Sequence, residues 1–144
     1  MNTSGSGGGV YVTGAGSSFI MTGGNIFGHN IYARMALGGG VYASTFTMTG
    51  GKIYGNSAVA YSSDSGSIAM GGGVYVSGTF TKTGDAIING SNELIEAERN
   101  TVSWGRTTTS GAAVQNDTRS RETTAGAGVD LDSEIDGAEG GWEN

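Results

Sequence analysis

The sequence predicts an all-β protein, a parallel β-solenoid (β-helix) of about three to four coils with an irregular C-terminal cap. Three observations carry that prediction. One phrase recurs three times, as GGGVYV at 7–12, GGGVYA at 38–43 and GGGVYV at 71–76, with 31 and 33 residues between the starts. A second phrase follows each copy at a near-constant distance, as MTGGNIFGH at 21–29, MTGGKIYGN at 48–56 and the worn KTGDAIING at 82–90. Glycine supplies 29 of 144 residues and proline none. That share has no three-residue period and is interleaved with Val, Ile, Tyr and Phe, so it points to regularly repeated tight turns between short strands.

Taken in order, residues 1–6 read as a disordered or truncated N-terminus. The repeats occupy 7–116, as units 7–37, 38–70 and 71–110 and a partial unit 111–116. Period-two alternation places three short strands in each unit, which describes one triangular coil. In the first strand Val10 and Val12 oppose Tyr11; in the second, Phe46 and Met48 oppose Thr47 and Thr49; in the third, Ile53 opposes Tyr54. Stacking coils at about 4.8 Å sets equivalent side chains over one another. The inward ladders are then Val10, Val41 and Val74; Phe19, Phe46 and Phe80; Met21 and Met48; and Ile26, Ile53 and Ile87. Tyr11, Tyr42 and Tyr75 form an outward ladder. Lys82 in place of methionine and Asp85 in place of glycine mark a unit nearing the end of the array.

Each fixed stretch is followed by a tract of changing length, at 30–37, 57–70 and 91–110, all leaving one corner of the coil. Within 91–100 the residues suit one or two helical turns, with Asn92 as N-cap and Arg99 near the end. Residues 117–144 form an acidic cap or tail. An open solenoid end exposes strand edges, and Val129, Leu131 and Trp142 are the apolar groups available to cover it. No comparable cap precedes Gly7. The chain therefore reads as part of a longer solenoid or as a module needing a partner: upstream β-helix coils, or self-association through the N-terminal edge.

Composition excludes several chemistries. The absence of cysteine rules out disulfides, thiolate metal sites and a cysteine nucleophile. Net charge is −6, and residues 91–144 hold eleven acids against four arginines, so no basic stripe exists for nucleic acid. No apolar run reaches the ~20 residues of a transmembrane segment, and the first residues have no signal-peptide pattern. Asp132, Glu134, Asp136, Gly137 and Glu143 fit a calcium-loop spacing, but Glu139 and the flanking glycines break its context, leaving a solvated acidic tail as the reading. His29 occupies the turn position that Asn56 fills in the next unit. The fixed strands carry only Lys52, Lys82 and Asp85 as charged groups, short of the clustered acids that polysaccharide chemistry requires. No catalytic residue, cofactor or metal is expected.

The run GGGVYV, then xFxMTGGxIxGN, closing with TTAGAGVDLDS and GGWE, resembles the repeats of bacterial surface proteins with a right-handed parallel β-helix, notably spirochaetal ones. Its GG-x-I element is similar to the repeat motif of polymorphic outer-membrane proteins, without their FxxN partner motif, which Asn56 and Asn89 only approximate. The resemblance implies a noncatalytic module, secreted or displayed at the cell surface or outer membrane, adhesin-like or a structural stalk. Its partner would be an extracellular protein or glycan. The contact residues selected for such binding lie in the variable tracts: Tyr32, Arg34, Tyr61, Trp104 and Arg106, aromatic and arginine side chains being the usual interface anchors. The alternative is an accessory region of a carbohydrate-active β-helix enzyme.

Overall fold

A computed structural model of the chain describes residues 4–62, 66–103, 109–116, 119–135 and 141–143. They form an all-β structure in which the chain visits four sheets in a fixed cyclic order. Sheet A holds β1 (Ser4–Ser6), β5 (Met35–Leu37), β9 (Ile68–Met70) and β14 (Thr109–Ser110). Sheet B holds β2 (Val10–Val12), β6 (Val41–Ala43), β10 (Val74–Val76), β15 (Val114–Asn116) and β16 (Arg119–Arg121). Sheet C holds β3 (Phe19–Phe27), β7 (Phe46–Tyr54), β11 (Phe80–Lys82), β12 (Ile87–Ile88) and β17 (Leu131–Asp132). Sheet D holds β4 (Asn30–Ala33), β8 (Ser57–Ala60) and β13 (Thr101–Ser103). Pairing between successive circuits is parallel in every sheet; only β16 and β17 run antiparallel, against β15 and β11. Among the described residues no helix is long and apolar enough to cross a membrane.

The ladders form from side chains that alternate about the strand, so each register aligns like with like. Val10, Val41, Val74 and Val114 align in sheet B. Phe19, Phe46 and Phe80 align in sheet C, with ring centroids 5.0 and 5.5 Å apart. Tyr11, Tyr42 and Tyr75 stack outward at 5.2 and 5.3 Å. The valine and phenylalanine ladders, with Met21, Met48 and Ile53, build the main core between sheets B and C. A second cluster of Ile31, Ala33, Ala36 and Ala58 fills the side between sheets D and A.

Several expectations are corrected. The first two circuits have four strands rather than three, the expected second and third strands being one nine-residue strand, β3 or β7, with irregular β3–β7 pairing at the GG step; in the third circuit those two stay separate, as β11 and β12. The expected tract at 30–37 is strands β4 and β5, and the tracts at 57–70 and 91–110 likewise contain β8 with β9 and β13 with β14. Ser4–Ser6, expected outside the repeats, forms β1 and pairs with β5. Ile88, not Ile87, lies under Ile53, because the third circuit carries one more residue between Lys82 and that position than MTGG-x-I does; Ile87 pairs with Lys52. The stretch 91–100 forms only a single 3₁₀ turn, Glu96–Glu98, without a side-chain cap, and Asn92 instead accepts the Thr124 N–H through Oδ1 at 2.8 Å.

The GGG triplet has a separate cause at each position. Gly7, Gly38 and Gly71 adopt φ of 63, 69 and 65°, the left-handed region glycine enters without strain. A Cβ on Gly39 or Gly72 would strike the backbone of Ser57 or Thr101. One on Gly40 would lie 2.9 Å from Asn56 Nδ2, and on Gly73 2.6 Å from Asn100 Nδ2. In the fourth copy the first glycine persists as Gly111, φ 71°, but the next two become the buried Ala112 and Ala113. The chain turns back as β16 after β15, and Glu122 takes the cap position there, its carboxylate accepting the N–H groups of Gly111 and Ala112.

Candidate functional site

The turn between sheets C and D is held by a ladder of His29, Asn56 and Asn100. Asn56 Oδ1 accepts the His29 N–H at 3.1 Å, and its Nδ2 donates to the Ile26 carbonyl at 3.1 Å. One circuit on, Asn100 Oδ1 accepts the Asn56 N–H at 2.9 Å, and its Nδ2 donates to the Ile53 carbonyl at 3.0 Å. Asn56 and Asn100 are fully buried, so these bonds satisfy groups that have no water. Asn89, within the worn motif, is not the equivalent of Asn56. Two residues link Ile53 to Asn56 and eleven link Ile88 to Asn100, so the third circuit carries an insertion at the corner. Glu98 at its end pairs with Lys52 at 2.6 Å, and the Lys52 ammonium lies 4.8 Å from the Tyr54 ring centre. The insertion also presents Leu94, 91% exposed, and Ile95, apolar groups that sequence reasoning did not select.

Beyond that corner, β4 and β8 pair with Tyr32 beside Val59. Alternation turns Ile31 and Ala33 into the core and Tyr32 outward. The Tyr61 ring packs against Tyr32 with centroids 5.3 Å apart and planes tilted by 38°. Tyr32, Val59, Ala60 and Tyr61 line a shallow groove of about 320 Å³. Arg34 sits in the one-residue link between β4 and β5, its backbone carbonyl accepting the Ile68 N–H at 3.0 Å. Its Nη2 lies 3.6 Å from where a Gly66 side chain would begin, so the guanidinium rests against the segment entering β9. The structure thus brings Tyr32, Arg34 and Tyr61 to one edge. Trp104 and Arg106 lie outside the described residues, as does Asp64. The rings differ from expectation in one respect: Tyr32 and Tyr61 cover one face of each other, leaving the outer face of the exposed Tyr32 to a ligand.

A second cleft, about 280 Å³, lies between the B-to-C turn and the cap, lined by Ser77, Thr79, Asn116, Arg119, Ser133 and Glu134. Arg119 Nη1 donates to the Ser133 carbonyl, and Asn116 Nδ2 donates to the carbonyls of Val76 and Gly78.

The two lysines of the repeat strands are drawn into structural contacts, Lys52 with Glu98 and Lys82 with the cap. Lys82, fully buried over Met48, donates from Nζ to the carbonyls of Gly126 at 3.0 Å and Val129 at 2.7 Å. Burial holds its pKa below the usual lysine value; Asp130 opposes that shift and Arg121 reinforces it. In the cap, Leu131 is buried, Val129 packs against the main core, and Trp142 meets the Phe80 ring edge-on at 6.0 Å while its Nε1 donates to Asp132 O. Of the calcium-loop residues, Asp136 and Gly137 lie outside the described residues. Glu143 turns its carboxylate onto the N–H groups of Glu122 and Thr123 and the Thr123 hydroxyl. Burial would raise the Glu143 pKa, but those donors outweigh it and hold it below the ordinary value.

No protein-family model matches the chain, and no curated protein or solved structure matches it.

Proposed function

We propose that the four-sheet circuit is a right-handed parallel β-helix, and that the chain is a noncatalytic module, secreted or displayed on a cell surface, that binds an extracellular protein or glycan along its D-to-A edge. The observation that carries the binding site is the convergence of Tyr32, Tyr61 and Arg34 where successive circuits differ in length. Within the strands the ladders fix each residue to its neighbours; at this edge, as in the other links, sequence can change without disturbing them. Aromatic edges with phenol hydroxyls beside a guanidinium suit sugar acids and protein carboxylates. A noncatalytic role is supported by the commitment of Lys52 to Glu98 and of Lys82 to the cap. The surface location rests on the likeness of GGGVYV and MTGGxIxGN to bacterial surface repeats.

Glycan and matrix-protein arrays test this reading. Tyr32→Ala with Arg34→Ala should weaken binding more than tenfold, since truncating one interface anchor costs about 2 kcal/mol or more. Thr47→Ala with Thr49→Ala, on the outer face of sheet C, should leave binding unchanged. Equal binding by the edge variant, or cleavage of an arrayed polysaccharide by this chain alone, would overturn the assignment.

A further inference from the structure

The B-to-C turn of each earlier circuit is covered by that of the next. Ser44 N–H donates to the Val12 carbonyl and Phe19 N–H to the Thr45 carbonyl; one circuit on, Ser77 N–H donates to the Ala43 carbonyl and Phe46 N–H to the Thr79 carbonyl. After β15 the chain reverses into β16, so among the described residues no further B-to-C turn lies over Ser77, Gly78 and Thr79. Side chains take over its hydrogen bonds. Asn116 Nδ2 donates to the carbonyls of Val76 at 3.0 Å and Gly78 at 2.5 Å, and Ser133 Oγ accepts the Phe80 N–H at 2.8 Å. The cleft of about 280 Å³ between this turn and the cap is the space that such a turn would fill.

The ladder changes character at the same place. Val12, Ala43 and Val76 are in register along sheet B, and the next rung is Asn116, only 4% exposed. A buried amide costs stability unless its polar atoms find partners. Both N–H groups of Asn116 are committed to the turn below, so Oδ1 is the polar atom it brings to the cleft. The exposed hydroxyls of Ser77 and Thr79 stand beside it. Ser133 adds a hydroxyl whose oxygen has accepted Phe80 N–H and whose proton can still be donated. Glu134 brings an exposed carboxylate, and Arg119 a guanidinium that holds the Ser133 carbonyl.

We propose that this cleft binds one neutral sugar residue, at a site separate from the D-to-A edge. A peptide would dock here by pairing its backbone with the turn, but the carbonyls of Val76 and Gly78 and the N–H of Phe80 are already taken. Arg119 facing the same space as Glu134 denies the cleft the single sign of charge that would select an ion. What lines it is a mixed set of donors and acceptors, three of them hydroxyls, which matches a ligand whose own groups are hydroxyls that donate and accept at once. The volume lies at the small end of ligand sites and suits a single ring, not a chain.

Titration of the full chain with methyl α-glucoside, methyl α-galactoside and methyl α-mannoside, followed in amide correlation spectra, tests the proposal. At least one of the three should move the amides of Gly78, Thr79 and Ser133 saturably and leave those of Tyr32 and Tyr61 in place. Thr79→Ala with Glu134→Ala, both at exposed positions, should raise that dissociation constant by about tenfold, since each change removes a hydrogen bond to the ligand. Tyr32→Ala with Arg34→Ala should leave it unchanged, which separates this site from the D-to-A edge. No saturable shift with any of the three in the unaltered chain, shifts gathered at Tyr32 and Tyr61 instead, or an unchanged constant in the Thr79 and Glu134 variant would each overturn it.

Discussion

The half of the cross-section between sheets B and C is filled by Val, Phe, Met and Ile, while the half between sheets D and A is lined mainly by alanine. The first half varies less: six residues link β2 to β3, two link β6 to β7 and three link β10 to β11. The second, with the C-to-D corner, takes the longest insertions: one residue links β4 to β5, seven link β8 to β9, and the corner before β13 holds the insertion after Ile88. The difference follows from what each side chain contributes. A buried Phe or Ile removes enough apolar area from water to stabilise by about 1.5–3 kcal/mol and fixes the register of its strand. A buried alanine adds little and demands only that its neighbour be close. Large residues thus hold the stack in register, and the alanine-lined half is free to carry insertions and the surface they display.

The sharpest way to break this comparison is to damage each half. Ile53→Asp places a charge without a partner among fully buried ladders and should abolish the strand signal in circular dichroism. Ala58→Leu, which overfills the opposite cluster, should cost only about 1–3 kcal/mol in a denaturant titration. Equal damage from the two would mean that both halves hold the register.

The next contrast concerns the GGG corner. Gly73→Ala would press a methyl against Asn100 Nδ2 and the Ala113 carbonyl and should destabilise by about 1–3 kcal/mol. Ala113→Gly, the reverse exchange in the last circuit, should cost about 1 kcal/mol or less. A Gly73→Ala protein that melts like the unaltered one would remove the packing account of the triplet.

The B–C half was largely legible in the sequence, because its inward positions are large, apolar and evenly spaced. The Val, Phe and Met ladders follow from that spacing. The D–A half was not, since Ala33, Ala36, Ala58 and Ala60 give no hydrophobic period and their strands read as variable tracts. Asn100 was hidden for a related reason: the insertion separates it from Ile88, leaving Asn89 as the asparagine within the repeat phrase. The slip from Ile88 to Ile87 came from one added residue in the TGDA turn. Of the candidate site, the residue types were readable and their partners were not, because the Tyr32 and Tyr61 contact depends on two strands absent from the sequence reading.

A smaller effect tests how the cap is attached to the large-residue half. The Lys82 pKa is lowered from 10.5 by burial, so the folded state disfavours the ammonium. Stability should therefore rise as pH climbs from that lowered value towards 10.5, and be lower below it. Lys82→Met, which restores the residue that stacks over Met48 in the earlier circuits, should remove this rise. An identical pH profile for the variant in thermal melts would show that Lys82 keeps its charge without penalty.

Native-state amide exchange compares the two halves within one molecule. Amides of β6, β7 and β10 should exchange only through global unfolding, whereas those of β8, β9 and β13 should open earlier through local fluctuations. Protection in β8, β9 and β13 equal to or greater than that in β6, β7 and β10 would contradict the division between a register-fixing half and an insertion-bearing one.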